Sequence, residues 1–494
     1  MSELKYDLVV LGGGAGAFAA ITEASERGLS TAIVNTGLPL GGTCVNVGCV
    51  PSKHLLAVAE SADVPRSNPF EAVEYDADQP HVDWETAIEE KDRLVASLRE
   101  QNYVSVADHY EADVYEGFGQ FVDETTIEVV QGRDEGAQLH GQKVLVATGS
   151  SPDIAPIDGI EEIDYETSET ILERHELPES IVVIGGGYVG CEWSQILSRM
   201  GVEVTLLQRS SYVLSGMWEG LGRDLQSHLR DEGINVITEA TPDEVTTNED
   251  GEVVVRASVA SANRRFTASD LFVATGVKPN TEGIGLDVAG VETDERGAVV
   301  VNDYFQTSNP DVYAAGDCIG EPMLETVAAK EGNHAVKNAF GSGELRSPDR
   351  SSGQSPREDS EGKTIDYDAV PMVVYTSPEV ASVGITEPEY IDQHGTCTCR
   401  TVEMKDVPKA KAVEDIRGLV QVVKHHETDE IVGVHMVGPR AADMISEATL
   451  AVKFGLTVDD IIDTIHPFPA FSEAFKHACQ AFRRDTSKMS CCVE

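Results

Sequence analysis

Two cysteine pairs carry the chemistry this sequence can do. Cys44 and Cys49 stand with four residues between them in Gly41-Gly42-Thr43-Cys44-Val45-Asn46-Val47-Gly48-Cys49-Val50-Pro51-Ser52-Lys53. At that spacing two sulfurs can close and reopen as a disulfide. Cys491 and Cys492 are adjacent, and a bridge between neighbours needs a distorted peptide. They are expected to stay thiols, and adjacent thiols suit capture of a soft metal ion. Pro51 and Lys53 place the inner pair near a predicted helix N-terminus, where positive potential lowers a thiol pKa.

Two glycine fingerprints must position this chemistry. The strand Lys5–Leu11 runs into Gly12, Gly14 and Ala17 at dinucleotide spacing, followed by a helical segment to Arg27. The first glycine permits the tight turn, the second admits a pyrophosphate, and the small third residue lets helix and strand pack closely. Asn35 ends the next strand, where an acid ordinarily binds ribose. A second copy, Gly185, Gly187 and Gly190, follows strand 181–184. Its next strand ends in Gln208-Arg209, which removes the acid and offers a cation to a 2′-phosphate, so NADPH is expected over NADH. Thr148-Gly149 and Thr275-Gly276 end returning strands. Gly316-Asp317 ends a strand on an acid placed for the ribityl chain of FAD.

The composition limits partners and location. With 85 acidic and 37 basic residues among 494, the net charge is −48. A field of that sign repels nucleic acid and anionic membranes, and its spread along the chain fits a halophile's cytoplasm. Nine cysteines are too few for a disulfide scaffold, which implies a reducing compartment. Cys191, Cys318 and Cys479 read as buried small residues, and Cys397 and Cys399 as surface or core.

Together, the paired fingerprints, Cys44-x4-Cys49-Val-Pro-Ser-Lys and Tyr375-Thr-Ser-Pro-Glu-Val-Ala-Ser-Val-Gly384 resemble the flavin disulfide reductases over almost the whole chain. That group includes glutathione reductase, dihydrolipoamide dehydrogenase and mercuric reductase. The stretch Gly41-Gly-Thr-Cys44-Val-Asn-Val-Gly-Cys49 and the ending Ser490-Cys491-Cys492 are similar to those of the mercuric reductases. The resemblance implies an α/β fold with two Rossmann-like dinucleotide-binding domains, for FAD and NADPH, and an α+β C-terminal dimerisation domain. The expected boundaries are 1–150 (FAD, redox pair), 151–280 (NAD(P)H), 281–341 (return to the FAD domain), 342–366 (polar insertion or linker) and 367–494 (dimerisation). The chain begins directly on the flavin strand, so the extra N-terminal metal module of many mercuric reductases is not expected.

Roles follow from the same resemblance. Electrons pass from NADPH through FAD to Cys44/Cys49, with Cys49 against the flavin and Cys44 as the exchange thiol. Gly42 and Thr43 lie at the flavin. Lys53 stands near it, paired with Glu192, and Tyr188 covers the nicotinamide pocket one helical turn before Glu192. Cys491 and Cys492 of one subunit of a homodimer deliver Hg(II) to Cys44 and Cys49 of the other, and Hg(0) leaves. Disulfide reductases keep a catalytic His five residues before the glutamate corresponding to Glu473. Here that position is Phe468, and His466 lies seven before. The rival readings are a dihydrolipoamide dehydrogenase-like enzyme, with His466 as its acid, and a flavoprotein that only sequesters Hg(II).

Overall fold

The structure, a computed structural model, describes residues 4–75, 82–341, 362–396 and 398–485. The chain divides into two compact units. One comprises Met1–Ser52, Glu89–Asp153 and Val277–Ile365; the other comprises Lys53–Ile88, Ile154–Gly276 and Asp366–Glu494. The segment Lys53–Ile88, expected with the first region, therefore groups with the second.

In the first unit, strands Asp113–Phe121, Thr31–Asn35, Leu4–Leu11, Gln138–Val146 and Val312–Ala314 lie side by side and parallel. Thr126–Gly132 pairs antiparallel with both Asp113–Phe121 and Gln138–Val146. The central strands are apolar on successive residues because both sheet faces are covered. Val9, Leu11, Val144 and Val146 enter one core, while Leu8, Val10 and Leu145 enter the opposite one. Helix Ala15–Glu26 buries Ala17, Ala20, Ile21 and Ala24 in that second core. Beside it lies helix Glu325–Ala339, and a Cβ on Gly332 would stand 2.0 Å from the Gly16 carbonyl oxygen. Only glycine permits so close an approach of two helices.

The second unit contains a parallel sheet in the order Asp270–Val273, Ser180–Ile184, Glu203–Leu207, Asn235–Ile237. An antiparallel sheet of Ala240–Thr247, Val253–Val259 and Ala262–Ala268 shares its core through Val245 and Val255. The C-terminal part is a five-stranded antiparallel sheet, ordered Met372–Val374, Glu379–Gly384, Ile431–Gly438, Leu419–Lys424, Cys399–Glu403. Helices Ala441–Phe454 and Glu473–Gln480 bury Ile445, Ala448, Phe475 and Ala478 against it.

Of the polar stretch 342–366, residues 342–361 lie outside the described residues. Past them, the Lys363 N–H donates to Asn338 Oδ1 at 2.6 Å, tying the returning chain to helix Glu325–Ala339. Cys397, Cys491 and Cys492 also lie outside the described residues. Among the described residues no helix is long and apolar enough to cross a membrane.

Candidate active site

The first unit builds a glycine-lined cradle at the end of strand Leu4–Leu11. Gly12 has φ +117°, and a Cβ there would stand 2.1 Å from the Ala147 carbonyl oxygen. Gly14 precedes helix Ala15–Glu26, whose first turn carries no acidic side chain, so its N–H groups keep their pull on an anion. Gly42, at φ +61°, packs on Gly14, where a Cβ would meet the Gly14 Cα at 2.8 Å. A Cβ on Gly149 would meet nothing within 4 Å, and the buried Thr148 Oγ1 has no hydrogen-bond partner. Asp317 accepts from Ser150 Oγ at 2.6 Å, and burial pushes its carboxyl up. An open glycine cradle with an orphaned hydroxyl and a held carboxyl at its border fits a flavin dinucleotide. Asn35 spends its amide on the Leu38 carbonyl at 2.9 Å, closing its own turn.

The cysteines stand on two successive helices that follow this loop. Cys44 lies in the short helix Gly42–Asn46 and Cys49 opens helix Cys49–Ser67. Asn46 fixes the short helix by donating to the Gly42 carbonyl at 2.8 Å and accepting from Arg99 Nη1 at 3.1 Å. No disulfide joins the two cysteines; Cys44 is half-buried and Cys49 exposed. Their sulfurs and a Glu325 carboxylate oxygen all lie within 4.8 Å of one another. The Cys44 thiol donates to Glu325 Oε2 at 2.6 Å, and the Tyr103 hydroxyl donates to Oε1 at 3.2 Å. Tyr103 is itself set edge-on against Phe18, with ring centroids 4.9 Å apart.

The lowered pKa expected of these sulfurs does not hold for Cys44. Its thiol is pushed well up by the hydrogen bond with Cys49, by burial and by the Glu325 carboxylate. A helix of five residues supplies little dipole to offset an adjacent negative charge. Neither Glu325 nor Tyr103 was singled out from the sequence. They lie 281 and 59 positions from Cys44, and only the fold brings them to it.

The second unit repeats the glycine device. Gly185 has φ +110°, and a Cβ on Gly190 would stand 1.8 Å from the Gly185 carbonyl oxygen. Cβ atoms on Gly187 and Gly276 would meet nothing within 4 Å, so the loop faces open space that fits a second dinucleotide. Gln208 is buried: its Oε1 accepts from the Gly186 N–H at 3.0 Å and its Nε2 donates to the Tyr212 carbonyl at 3.2 Å. The amide thus braces the glycine loop, which leaves exposed Arg209 as the residue facing outward at this strand end.

Lys53 and Glu192 meet in the same unit, Nζ to Oε2 at 2.7 Å. The other oxygen of buried Glu192 accepts from the Tyr375 N–H at 2.9 Å, and Lys53 Nζ stands 4.8 Å from the Tyr375 ring centre. Tyr188, 36% exposed, opens the helix that carries Glu192, and its hydroxyl reaches the Met372 sulfur at 3.9 Å.

Comparison with known proteins bears directly on this arrangement. Residues 6–332 match the family described as pyridine nucleotide-disulphide oxidoreductase, and residues 370–479 match its dimerisation domain. The chain belongs to this family. It is 38% identical to mercuric reductase of Streptomyces lividans over 99% of this chain and 98% of that one. It is also 38% identical to mercuric reductase of Lysinibacillus sphaericus, covering 85% of that chain, and 35% identical to that of Staphylococcus aureus, covering 84%. The Cu(II) complex of the HOCl-induced flavoprotein disulfide reductase RclA from Escherichia coli superposes with TM-score 0.82. At 24% identity over 98% of this chain and 100% of that chain, it establishes the shared fold.

Within this pyridine nucleotide-disulphide oxidoreductase, His466 is committed locally. Its Nε2 meets Glu447 at 2.8 Å and its Nδ1 meets the Thr464 carbonyl at 2.9 Å. The Glu447 hydrogen bond raises its pKa. Phe468 is 51% exposed, and Glu473 accepts from the Ala470 N–H at 3.1 Å at the head of its helix. The buried cysteines 191, 318 and 479 have thiols pushed up by burial.

Proposed function

We propose that the chain uses NADPH and FAD to reduce thiol-bound Hg(II) to Hg(0), as a cytoplasmic homodimer. The carrying observation is the Cys44–Cys49 pair, present as two neighbouring thiols. Among the described residues, these sulfurs and Glu325 form the one group of side chains that could hold a metal ion. Likeness to mercuric reductases along the full chain supports the same substrate. When bound, FAD supplies the two-electron link between NADPH and the cysteine pair.

The chain's own residues do the rest. The two glycine loops hold the dinucleotides at helix N-termini, and exposed Arg209 meets the 2′-phosphate. Tyr188 covers the nicotinamide site, and Glu192 fixes the Lys53 ammonium one helical turn after Cys49. Cys44 and Cys49 lose two thiol protons and take Hg(II) as a dithiolate; two electrons from NADPH reduce the ion, both metal–sulfur bonds break, and Hg(0) leaves while the two thiolates stay on the chain. Cys491 and Cys492 of the partner subunit pass Hg(II) in from solution thiols. With His466 held by Glu447 and Thr464, the acid that disulfide substrates require is engaged elsewhere, which favours the metal over lipoamide.

The test is NADPH oxidation with excess thiol and either Hg(II) or lipoamide disulfide. Hg(II) should drive turnover and Hg(0) release. The double substitution Cys491→Ala/Cys492→Ala should lower kcat/KM for thiol-bound Hg(II) on the order of 10²-fold, as expected when a tethered delivery step becomes bimolecular. Faster turnover of lipoamide than of Hg(II) would overturn the assignment.

A further inference from the structure

Two sulfurs are enough for Hg(II), which is content with two thiolates in line. The cup around Cys44 offers more than that. Glu325 brings a carboxylate oxygen within 4.8 Å of both sulfurs. That oxygen already accepts the Cys44 thiol at 2.6 Å, while Tyr103 steadies its twin at 3.2 Å. The carboxylate sits in the first turn of helix Glu325–Ala339, whose backbone is fixed by the close Gly16–Gly332 approach. It is thus oriented by neighbours before any ligand arrives, as metal-binding carboxylates are.

We propose that Cys44, Cys49 and Glu325 form a three-donor S2O site that binds borderline divalent cations, Zn(II) and Cd(II), which the enzyme cannot reduce. The inference goes beyond the proposed function and shares with it only the reduced cysteine pair. Such ions want four donors; Zn(II) takes thiolate sulfur at about 2.3 Å and carboxylate oxygen at about 2.0–2.2 Å. Two sulfurs alone satisfy them poorly, and the carboxylate with one water completes a tetrahedron. On binding, the Sγ–H bonds of Cys44 and Cys49 break, two protons go to buffer, and two metal–sulfur bonds form. Glu325 exchanges its hydrogen bond from Cys44 for a metal–oxygen bond. No electrons move, so the ion stays and blocks the pair. Glu325 thereby sets which inert metals compete with the substrate, while leaving two-coordinate Hg(II) nearly indifferent to it.

The experiment uses the full chain with Cys491→Ala/Cys492→Ala, FAD-loaded and reduced with a phosphine that does not compete for metal. Cd(II) is titrated by its thiolate charge-transfer absorbance and by 113Cd NMR; Zn(II) is titrated by competition. One ion per chain should bind, and none when the pair is oxidised. Glu325→Gln should weaken Cd(II) and Zn(II) at least about tenfold and shift the 113Cd resonance, while Hg(II) capture changes less than about twofold. Glu325→Asp should recover part of the Cd(II) affinity. Unchanged Cd(II) binding in Glu325→Gln would overturn the proposal, as would equal losses for Cd(II) and Hg(II), which would make Glu325 a support for the cysteines instead of a ligand. A native chain that binds Cd(II) in this way but fails to reduce Hg(II) would refute the proposed function and leave the S2O site standing.

Discussion

Replacing Lys53 by Met should destabilise the second unit through Glu192, and the size of the effect can be worked from the geometry. The Glu192 side chain is 7% exposed and the Lys53 side chain 32%. Without the 2.7 Å bond from Nζ, the carboxylate keeps one protein donor, the Tyr375 N–H at 2.9 Å. Breaking a fully buried pair costs about 3–5 kcal/mol, and the partial exposure of Lys53 brings the expectation to about 2–3 kcal/mol. Glu192→Leu alone leaves an ammonium that can turn to water and takes the Glu192 acceptor from the Tyr375 N–H, at about 1–2 kcal/mol. The double variant should resemble Glu192→Leu, giving a coupling of about 2–3 kcal/mol. All three tryptophans, Trp84, Trp193 and Trp218, lie in this unit, and Trp193 follows Glu192 on the same helix. Urea unfolding followed by tryptophan fluorescence, with FAD saturating, therefore reads the right region. The effect should persist in molar salt, because the carboxylate is shielded from counterions. A Lys53→Met protein within about 0.5 kcal/mol of native, or a double variant less stable than Lys53→Met, would refute the reasoning.

Two further outcomes are expected. His435 is fully buried, its Nδ1 meets Ser382 Oγ at 2.7 Å and its Nε2 meets the Ile385 carbonyl at 3.1 Å, and burial lowers its pKa from 6.5 to about 4. A depressed imidazole pKa means the unfolded chain binds the proton first. Its contribution is thus intact above pH 6.5 and is lost as pH falls towards 4, by about 3 kcal/mol in all; His435→Phe should flatten that part of the urea-midpoint profile. Gly190→Ala sets a methyl 1.8 Å from the Gly185 carbonyl oxygen, so helix Tyr188–Arg199 must move off its strand. NADPH oxidation should fall about 10²-fold while the flavin absorbance per chain is unchanged; loss of FAD as well would contradict the assignment of this loop to the nicotinamide nucleotide.

Features written in short stretches of sequence were legible. The spacing Gly12-x-Gly14 and Gly185-x-Gly187-x-x-Gly190 encodes tight backbone approaches that any larger residue would break, and the paired folds follow from them. Apolar runs such as Leu8–Leu11 announce strands covered on both faces. What escaped was long-range. No local pattern links Glu325 or Tyr103 to Cys44, or Tyr375 to Glu192. Gln208 reads as the uncharged replacement of a ribose-binding acid; that it also braces the glycine loop shows only in the fold, where a buried amide must satisfy its own donors and acceptor. The raised pKa of the Cys44 thiol is no more legible locally, since beside the Cys49 hydrogen bond and burial it owes part of its rise to a carboxylate on a distant helix.

The contact between Gly16 and Gly332 has a reach beyond packing. It couples the helix that begins at the first nucleotide loop to the one that presents Glu325, through bare backbone with no side chain to yield. A single methyl at Gly332 would act as a wedge, tilting the acid away from its sulfur two helical turns distant. Sequence drift could therefore retune the cysteine cup without touching any residue in it.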